Sequence, residues 1–282
     1  ALFTATSATC VTGLVLHDTA LYWSPFGQLV ILLLIQVGGM GVVTIAVAIF
    51  MFAGKRIGLK QRWVMQESIS APQVGGIVRM TGFILKTAFL IEGVGVLLLA
   101  LRFCPQFGLG RGLWYAVFHS VSAFCNAGFD LMGVNSPFSS LTDYVGDPLV
   151  SNVIAFLIII GGVGFLTWND IREHKLHFRR YRLQSKLILT TTLALILTGL
   201  LFFLLYEFEQ GQWVDMSLWE RINAAFFQSV TPRTAGFNTV DLTGLSQPAQ
   251  LLIILLMLVG GSPGSTAGGF KTTTLAVMLL GV

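Results

Sequence analysis

The sequence predicts an all-α membrane protein made of repeated units, each a spanning helix, a short helix with its loop, and a second spanning helix. Three observations predict it. Hydrophobic residues make up 54% of the 282 and charged residues 11%, with a mean hydropathy of +0.78, whereas a soluble domain carries about 25% charged residues. Apolar runs of the roughly 20 residues that a bilayer helix needs recur along the chain. A glycine-ending motif returns three times, at intervals of about 110 residues. A soluble enzyme is excluded. So is an outer-membrane barrel, whose strands would be alternating segments of about 10 residues.

The spanning candidates in chain order are 29–53, 80–101, 149–168, 187–206 and 251–280, the last interrupted by glycines. Ahead of the first, third and fifth lies an element too short to cross a bilayer. These elements align as 3–14, 118–129 and 227–237, the third one residue shorter, and each following span contains a double glycine: Gly38-Gly39, Gly161-Gly162 and Gly260-Gly261. The chain therefore divides into 1–53 (repeat 1, lacking its opening span), 54–168 (repeat 2) and 169–282 (repeat 3).

Non-helical backbone at membrane depth is tolerated only where it is buried in protein or lines a watery cavity. A short helix returning through a loop of small residues points to a pore whose carbonyl oxygens replace an ion's hydration shell. The candidate filter is Val11, Thr12 and Gly13; Asn126, Ala127 and Gly128; and Thr234, Ala235 and Gly236. The alternative, glycines serving close helix packing, suits Gly38-Gly39 and Gly161-Gly162 but explains the repeated loops poorly.

Twelve of the 17 Lys and Arg lie in 55–86 and 172–186, while nine of the 13 acids, from Asp18 to Asp241, lie in the other loops. Positive-inside asymmetry makes the two basic regions cytoplasmic and the acidic loops external. Topology accounts for the net charge of +4, and no nucleic-acid partner is needed; the partner it does imply is the lipid bilayer. Cys10, Cys104 and Cys125 are odd in number and lack a metal spacing. The N-terminus has neither Met nor a basic stretch before an apolar one, so it reads as the middle of a longer protein and not as a signal peptide.

The stretch Gly260, Gly261, Ser262, Pro263, Gly264, Ser265, Thr266, Ala267, Gly268 and Gly269 opposes a helix by about 1 kcal/mol per Gly and about 3 for Pro. It reads as an unwound loop able to gate the path, with a static kink as the alternative. A phosphate-binding loop is excluded because Phe270 separates Gly269 from Lys271. Other residues have ordinary readings. His119 is expected to pack as a satisfied polar group. Glu92, the acid within a span, is a functional suspect that the sequence pairs with a base such as Lys86. Arg233 is expected to anchor its loop through carbonyls or an acid, and Cys10 and Cys125 to be small buried packers.

The loops Cys10-Val11-Thr12-Gly13-Leu14, Cys125-Asn126-Ala127-Gly128-Phe129 and Arg233-Thr234-Ala235-Gly236-Phe237, together with the run from Gly260 to Thr274, resemble the Trk/Ktr/HKT superfamily of potassium transporters, its bacterial KtrB-type membrane subunits above all. The resemblance covers nearly the whole chain. It implies four M1-P-M2 units around one pseudo-four-fold pore, with filter glycines at Gly13, Gly128 and Gly236 and the gate at 260–269. Three units leave the oxygen cage incomplete, so a fourth repeat is expected in a longer protein. The resemblance further implies K+ as the transported ion, leaves Na+ dependence open, and implies a homodimer on a cytoplasmic nucleotide-binding (KtrA-like) ring in the plasma (inner) membrane of a bacterium, crossed several times.

No nucleophile, base and oxyanion set and no metal-ligand set stands out, so the chain reads as a permease without cofactor or resident metal, and not as an enzyme. A secondary transporter with a broken-helix midplane site is the runner-up; such proteins usually carry inverted repeats, whereas these units run in one orientation. A scaffold subunit would not need three such loops. Flux of rubidium separates the three.

Overall fold

Each unit of the computed structural model is organised by a short helix ending at its glycine loop; the structure describes residues 1–282 except 42–43, 46–48, 50–57, 59–62, 65, 68–75, 135, 176 and 282. In repeat 1, α1 (Leu2–Thr9) is the short helix and α2 (Pro25–Met40) the apolar helix after it. Repeat 2 comprises α3 (Ile77–Phe107), the short helix α4 (Leu109–Phe124), α5 (Pro148–Val163) and α6 (Phe165–His174). Repeat 3 comprises α7 (Leu183–Phe202), continued by a π turn over Phe203–Glu207, the short helix α8 (Leu218–Val230), α9 (Gln247–Leu258) and α10 (Thr272–Leu280). Among the described residues there is no strand; Val259 and Phe270 form an isolated bridge.

The helix after each glycine loop starts the same way. Ser24, Asp147 and Ser246 accept hydrogen bonds from backbone N–H groups of the first turn, and a proline stands at the first or second helical position. A capped N-terminus with Pro at its head satisfies donors that have no intrahelical partner. The triple occurrence fixes where each of these helices enters.

Val78–Phe107 and Leu183–Glu207 are long and apolar enough to cross a membrane, the first about 45 Å at 1.5 Å per residue. The expected continuous span 149–168 is corrected: α5 and α6 meet at a 95° bend. Gly164 sits at φ +97 between them, a left-handed value open to glycine without strain. The expected span 29–53 is helical to Met40, where Gly41 at φ +82 ends it; most of its remainder, and Lys55, Arg56, Lys60 and Arg62 of the first basic region, lie outside the described residues. The span 251–280 is two helices joined by a loop.

Packing follows the repeats. α1 lies on α2, α4 on α3 and α5, and α8 on α7; α4 also touches α2, and α8 touches α5. Each of these last two short helices is thus held between its own unit and the one before. Phe103, Phe118, Phe124, Phe129 and Phe237 are buried around them, while Leu97, Leu101 and Leu205 are 70%, 68% and 83% exposed. Large apolar side chains turned outward over whole helices are the pattern of a surface that meets lipid.

Candidate functional site

The site is where the three short helices stop. At the end of α4, the N–H groups of Cys125, Asn126 and Ala127 donate to the carbonyls of Val121, Ala123 and Ser122; at the end of α1, Cys10, Val11 and Thr12 donate to Thr6, Ala8 and Ser7 in the same pattern. The backbone then turns left-handed twice, with one ordinary residue between. The φ angles are +55 at Val11 and +74 at Gly13, +54 at Asn126 and +71 at Gly128, and +62 at Thr234 and +83 at Gly236. Such alternation turns successive carbonyls of an extended chain towards one side, the requirement for a carbonyl-lined path.

The loops converge. A Cβ built on Gly13 would lie 2.7 Å from the Ala127 carbonyl oxygen, and one on Gly128 would overlap that of Ala235. Asn126 Nδ2 donates to the Arg233 carbonyl at 3.2 Å, tying the second loop to the third. The three loops that carry the nine candidate residues named from the sequence thus meet, through Gly13, Asn126, Ala127, Gly128, Ala235 and Gly236. The sequence reading missed two hydroxyls that hold them: Ser122 Oγ donates to the Phe129 carbonyl and Thr231 Oγ1 to that of Phe237, both at 2.6 Å. Each hydroxyl leaves the end of a short helix and fixes the residue after the filter glycine. Their alignment across the missing residue of the third loop was the available signal.

The double glycines admit close backbone approach. A Cβ on Gly38 would overlap the Thr9 carbonyl, and one on Gly161 the equivalent Phe124 carbonyl. In repeat 3 a Cβ on Gly260 would instead overlap the carbonyl of Gly268, within its own loop. A further glycine ends each helical segment or follows it closely, at Gly41, Gly164 and Gly264, all at positive φ.

The loop 260–269 is a hairpin with many ties. Gly260 N–H donates to the Phe270 carbonyl and Gly261 N–H to that of Gly268, and Ser262 Oγ meets Thr272 Oγ1 at 3.0 Å. It leans on repeat 2: Ser262 N–H donates to Gly162 and Thr266 N–H to Gly161, while Phe165 N–H donates to the Gly264 carbonyl at 2.7 Å. Thr266 Oγ1 reaches the Phe124 carbonyl at 2.9 Å. Residues 264–268 line a cavity of about 250 Å³ with Thr9, Cys10, Val11, Gly38 to Gly41 and Phe165. Ends of helices carry partial negative charge on their free carbonyls, so the cavity at the end of α1 favours a cation.

The loops that follow the short helices also join across repeats. Asp18 accepts from Phe138 N–H at 2.8 Å, and Asn238 N–H donates to Ser140 Oγ at 3.0 Å. Asp130, two residues after Gly128, has its carboxyl pushed up to about 6 by burial, against the bond from Met132 N–H and with help from the Asp18 charge.

Three expectations need correction. Glu92 is not paired with Lys86, which is exposed; both its oxygens accept from Gln36 Nε2, at 3.0 and 3.2 Å. Cys10 is exposed, because the end of α1 faces the cavity, although Cys125 is buried as expected. For Arg233 no side-chain anchor is seen among the described residues: its buried Nε has no partner, and its main-chain carbonyl makes the tie. His119 is satisfied, with Nδ1 2.7 Å from the Tyr115 carbonyl and Nε2 accepting from Leu131 N–H at 3.3 Å. Asp170, Glu173 and His174 bring ligand-type atoms within 4.8 Å of one another. Asp170 is already engaged, however, by Ser185 Oγ, Arg182 N–H and the Arg182 guanidinium, which ties α6 to the start of α7.

Comparison with known proteins gives the geometry its context. The family described as TrkH, cation transport protein, matches residues 1–282. The chain is 41% identical over 280 residues to the potassium/sodium uptake protein NtpJ of Enterococcus hirae, covering 99% of this chain and 61% of that one. It is 42% identical over 283 residues to the Ktr system potassium uptake protein B of Bacillus subtilis, covering 100% of this chain and 62% of the relative. The crystal structure of the potassium transporter TrkH from Vibrio parahaemolyticus superposes with a TM-score of 0.70 at 20% identity, over 99% of this chain and 53% of that chain. The fold is therefore shared with it, and the chain spans about three-fifths of the length of the two sequence relatives.

Proposed function

The chain belongs to the TrkH family of cation transport proteins, and on that premise we propose that the whole protein takes up potassium through a filter formed by Val11 to Gly13, Asn126 to Gly128 and Thr234 to Gly236. The observation that carries this reading is the paired left-handed positions of each loop, held in mutual contact at Gly13, Gly128 and Gly236. A partly dehydrated cation in such a ring exchanges water oxygens for fixed carbonyl dipoles, whose number and field strength discriminate among ions. The names of the Enterococcus and Bacillus relatives, both potassium uptake proteins, support potassium as the cargo. The name of the first also includes sodium, so Na+ dependence belongs in any assay.

The loop 260–269 is the gate in this proposal. It borders the cavity and is held by single hydrogen bonds to repeat 2, which exchange at small cost. A fourth repeat completes the ring. The basic region 172–186 faces the cytoplasm of a bacterium, where a nucleotide-binding ring engages a homodimer; the Bacillus relative is named as part of a Ktr system, which supports a multi-component assembly.

Rubidium uptake into proteoliposomes of the full-length protein, competed with sodium, tests the reading. Gly128→Ser and Gly236→Ser are expected to lower preference for potassium over sodium about ten-fold, since a side chain at these φ values is strained and turns carbonyls off the axis. Unchanged competition in both variants would remove the filter assignment. No cation flux at all would remove the permease reading.

A further inference from the structure

Behind the second filter loop lies a polar contact that the filter itself does not use. Glu92 on α3 is 4% exposed and, among the described residues, makes no ion pair. Its two carboxylate oxygens accept from Gln36 Nε2 on α2. Gln36 turns its amide nitrogen to Glu92 and its oxygen away, the orientation in which the carboxyl group accepts. That oxygen meets Cys125 Sγ at 4.0 Å, and a Cβ on Gly39 would come within 2.6 Å of the same sulfur. At the other end, the main-chain carbonyl of Glu92 accepts from buried Ser120 Oγ at 2.7 Å, on the short helix that Cys125 terminates. The chain Glu92, Gln36, Cys125 thus joins repeat 1 to repeat 2 one residue ahead of Asn126, where the left-handed filter backbone begins.

The internal repeat supplies a control within the same molecule. Gly95 lies against Ser120 as Gly199 lies against Ser229, which aligns Glu92 with Ile196. Gly38 aligns with Gly161, which aligns Gln36 with Ile159. The corresponding junction between repeats 2 and 3 therefore carries two isoleucines, Ile196 being buried in the core. At the two positions that Glu92 and Gln36 occupy, the second junction carries no polar side chain, while the position of Cys125 is taken there by buried Arg233. Burying a carboxylate within a span is costly, and an apolar pair of similar size is often as stable or more so. Packing does not account for the acid.

We propose that Glu92 is a positioning residue for ion selection: through Gln36 it orients Cys125 and so sets the carbonyls of the second filter loop. The inference rests on the filter assignment above. It explains why the polar pair occurs where the filter loop makes two cross-repeat contacts, to the first loop through Ala127 and to the third through Asn126. An error in the placing of this loop is felt by both neighbours.

The experiment is sodium competition against rubidium uptake in the full-length protein, with Glu92→Ile, Gln36→Ile, the double variant, Glu92→Gln, and Gly128→Ser as the filter control. The double variant installs the pair that repeat 3 already uses, so it is expected to reach wild-type levels in the membrane. Its preference for potassium is nevertheless expected to fall at least three-fold, with a raised KM for rubidium and a nearly unchanged maximal rate. Glu92→Gln keeps an acceptor for Gln36 and is expected to restore most of the preference. A double variant that folds and discriminates like wild type would overturn the proposal, as would Glu92→Gln behaving no better than Glu92→Ile. If Gly128→Ser also leaves competition unchanged, the filter assignment itself fails; if Gly128→Ser shifts it and the double variant does not, only the role of Glu92 fails.

Discussion

The breaks in the second and third repeats lie beside the same double glycine and end differently. Gly161 and Gly162 are still helical, and Gly164 alone separates α5 from the helix that resumes at Phe165 after a 95° bend. After Gly260-Gly261 helix does not resume until Thr272. Gly161 is pressed against the carbonyl that ends α4, whereas Gly260 is pressed against its own loop. The first break therefore lies where its helix bears on the end of α4. The second is a structure added on, closed on itself and attached to repeat 2 by Ser262, Gly264 and Thr266. Paired glycines thus stand beside a break in both repeats, packed against a neighbouring helix end in one and against their own loop in the next.

The largest effect that would break this contrast is at Gly161. Gly161→Ala places a methyl into the Phe124 carbonyl and is expected to cost about 2–3 kcal/mol, in the upper range for overpacking, read as a lower melting temperature in detergent. Gly162→Ala is its control: the nearest atom is Asn126 Nδ2 at 3.7 Å, an ordinary contact, and stability is expected to stay within about 0.5 kcal/mol of wild type. Equal losses in the two would mean that Gly161 is not the bearing point.

Next in size is removal of 262–267. It takes away the loop's ties to Gly161, Gly162, Phe165 and Phe124 together, and uptake velocity is expected to rise several-fold with weaker dependence on a cytoplasmic partner and unchanged ion preference. Unchanged velocity in a folded deletion variant would leave a passive kink. The smallest effect sharpens the contrast. Thr266→Val removes one hydroxyl bond, worth about 1 kcal/mol, and is expected to raise basal uptake no more than about five-fold; a rise equal to that of the whole deletion would make Thr266 alone the latch.

These contrasts also mark what the sequence made legible. The three glycine loops could be read because small residues ending in glycine recur three times, and backbone conformation is encoded locally at Gly13, Gly128 and Gly236. The loop 260–269 could be read because five glycines and a proline outweigh any helical preference. The bend at Gly164 was hidden: the run 149–168 carries no charged residue, and its three glycines read equally as packing. The partner of Glu92 was hidden for another reason. Gln36 stands 56 residues away, and only the packing of α2 on repeat 2 brings them together, whereas Lys86, near in sequence, points outward. Cys10 was misjudged because burial at the end of α1 depends on the cavity beyond it.

The bend at Gly164 has a mechanical side. α6 is a rod of ten residues, about 15 Å long, pivoting next to Phe165, whose N–H holds the Gly264 carbonyl at 2.7 Å. A push of about 2 Å at the His174 end turns such a rod by roughly 8° and shifts Phe165 by only a few tenths of an ångström, less than the roughly 0.5 Å by which a hydrogen bond can lengthen and still hold. Gearing of this kind steps displacement down and force up. On such a lever a displacement at the basic end reaches Phe165 much reduced, the more so because Asp170 ties the rod to Arg182 and Ser185 along its length.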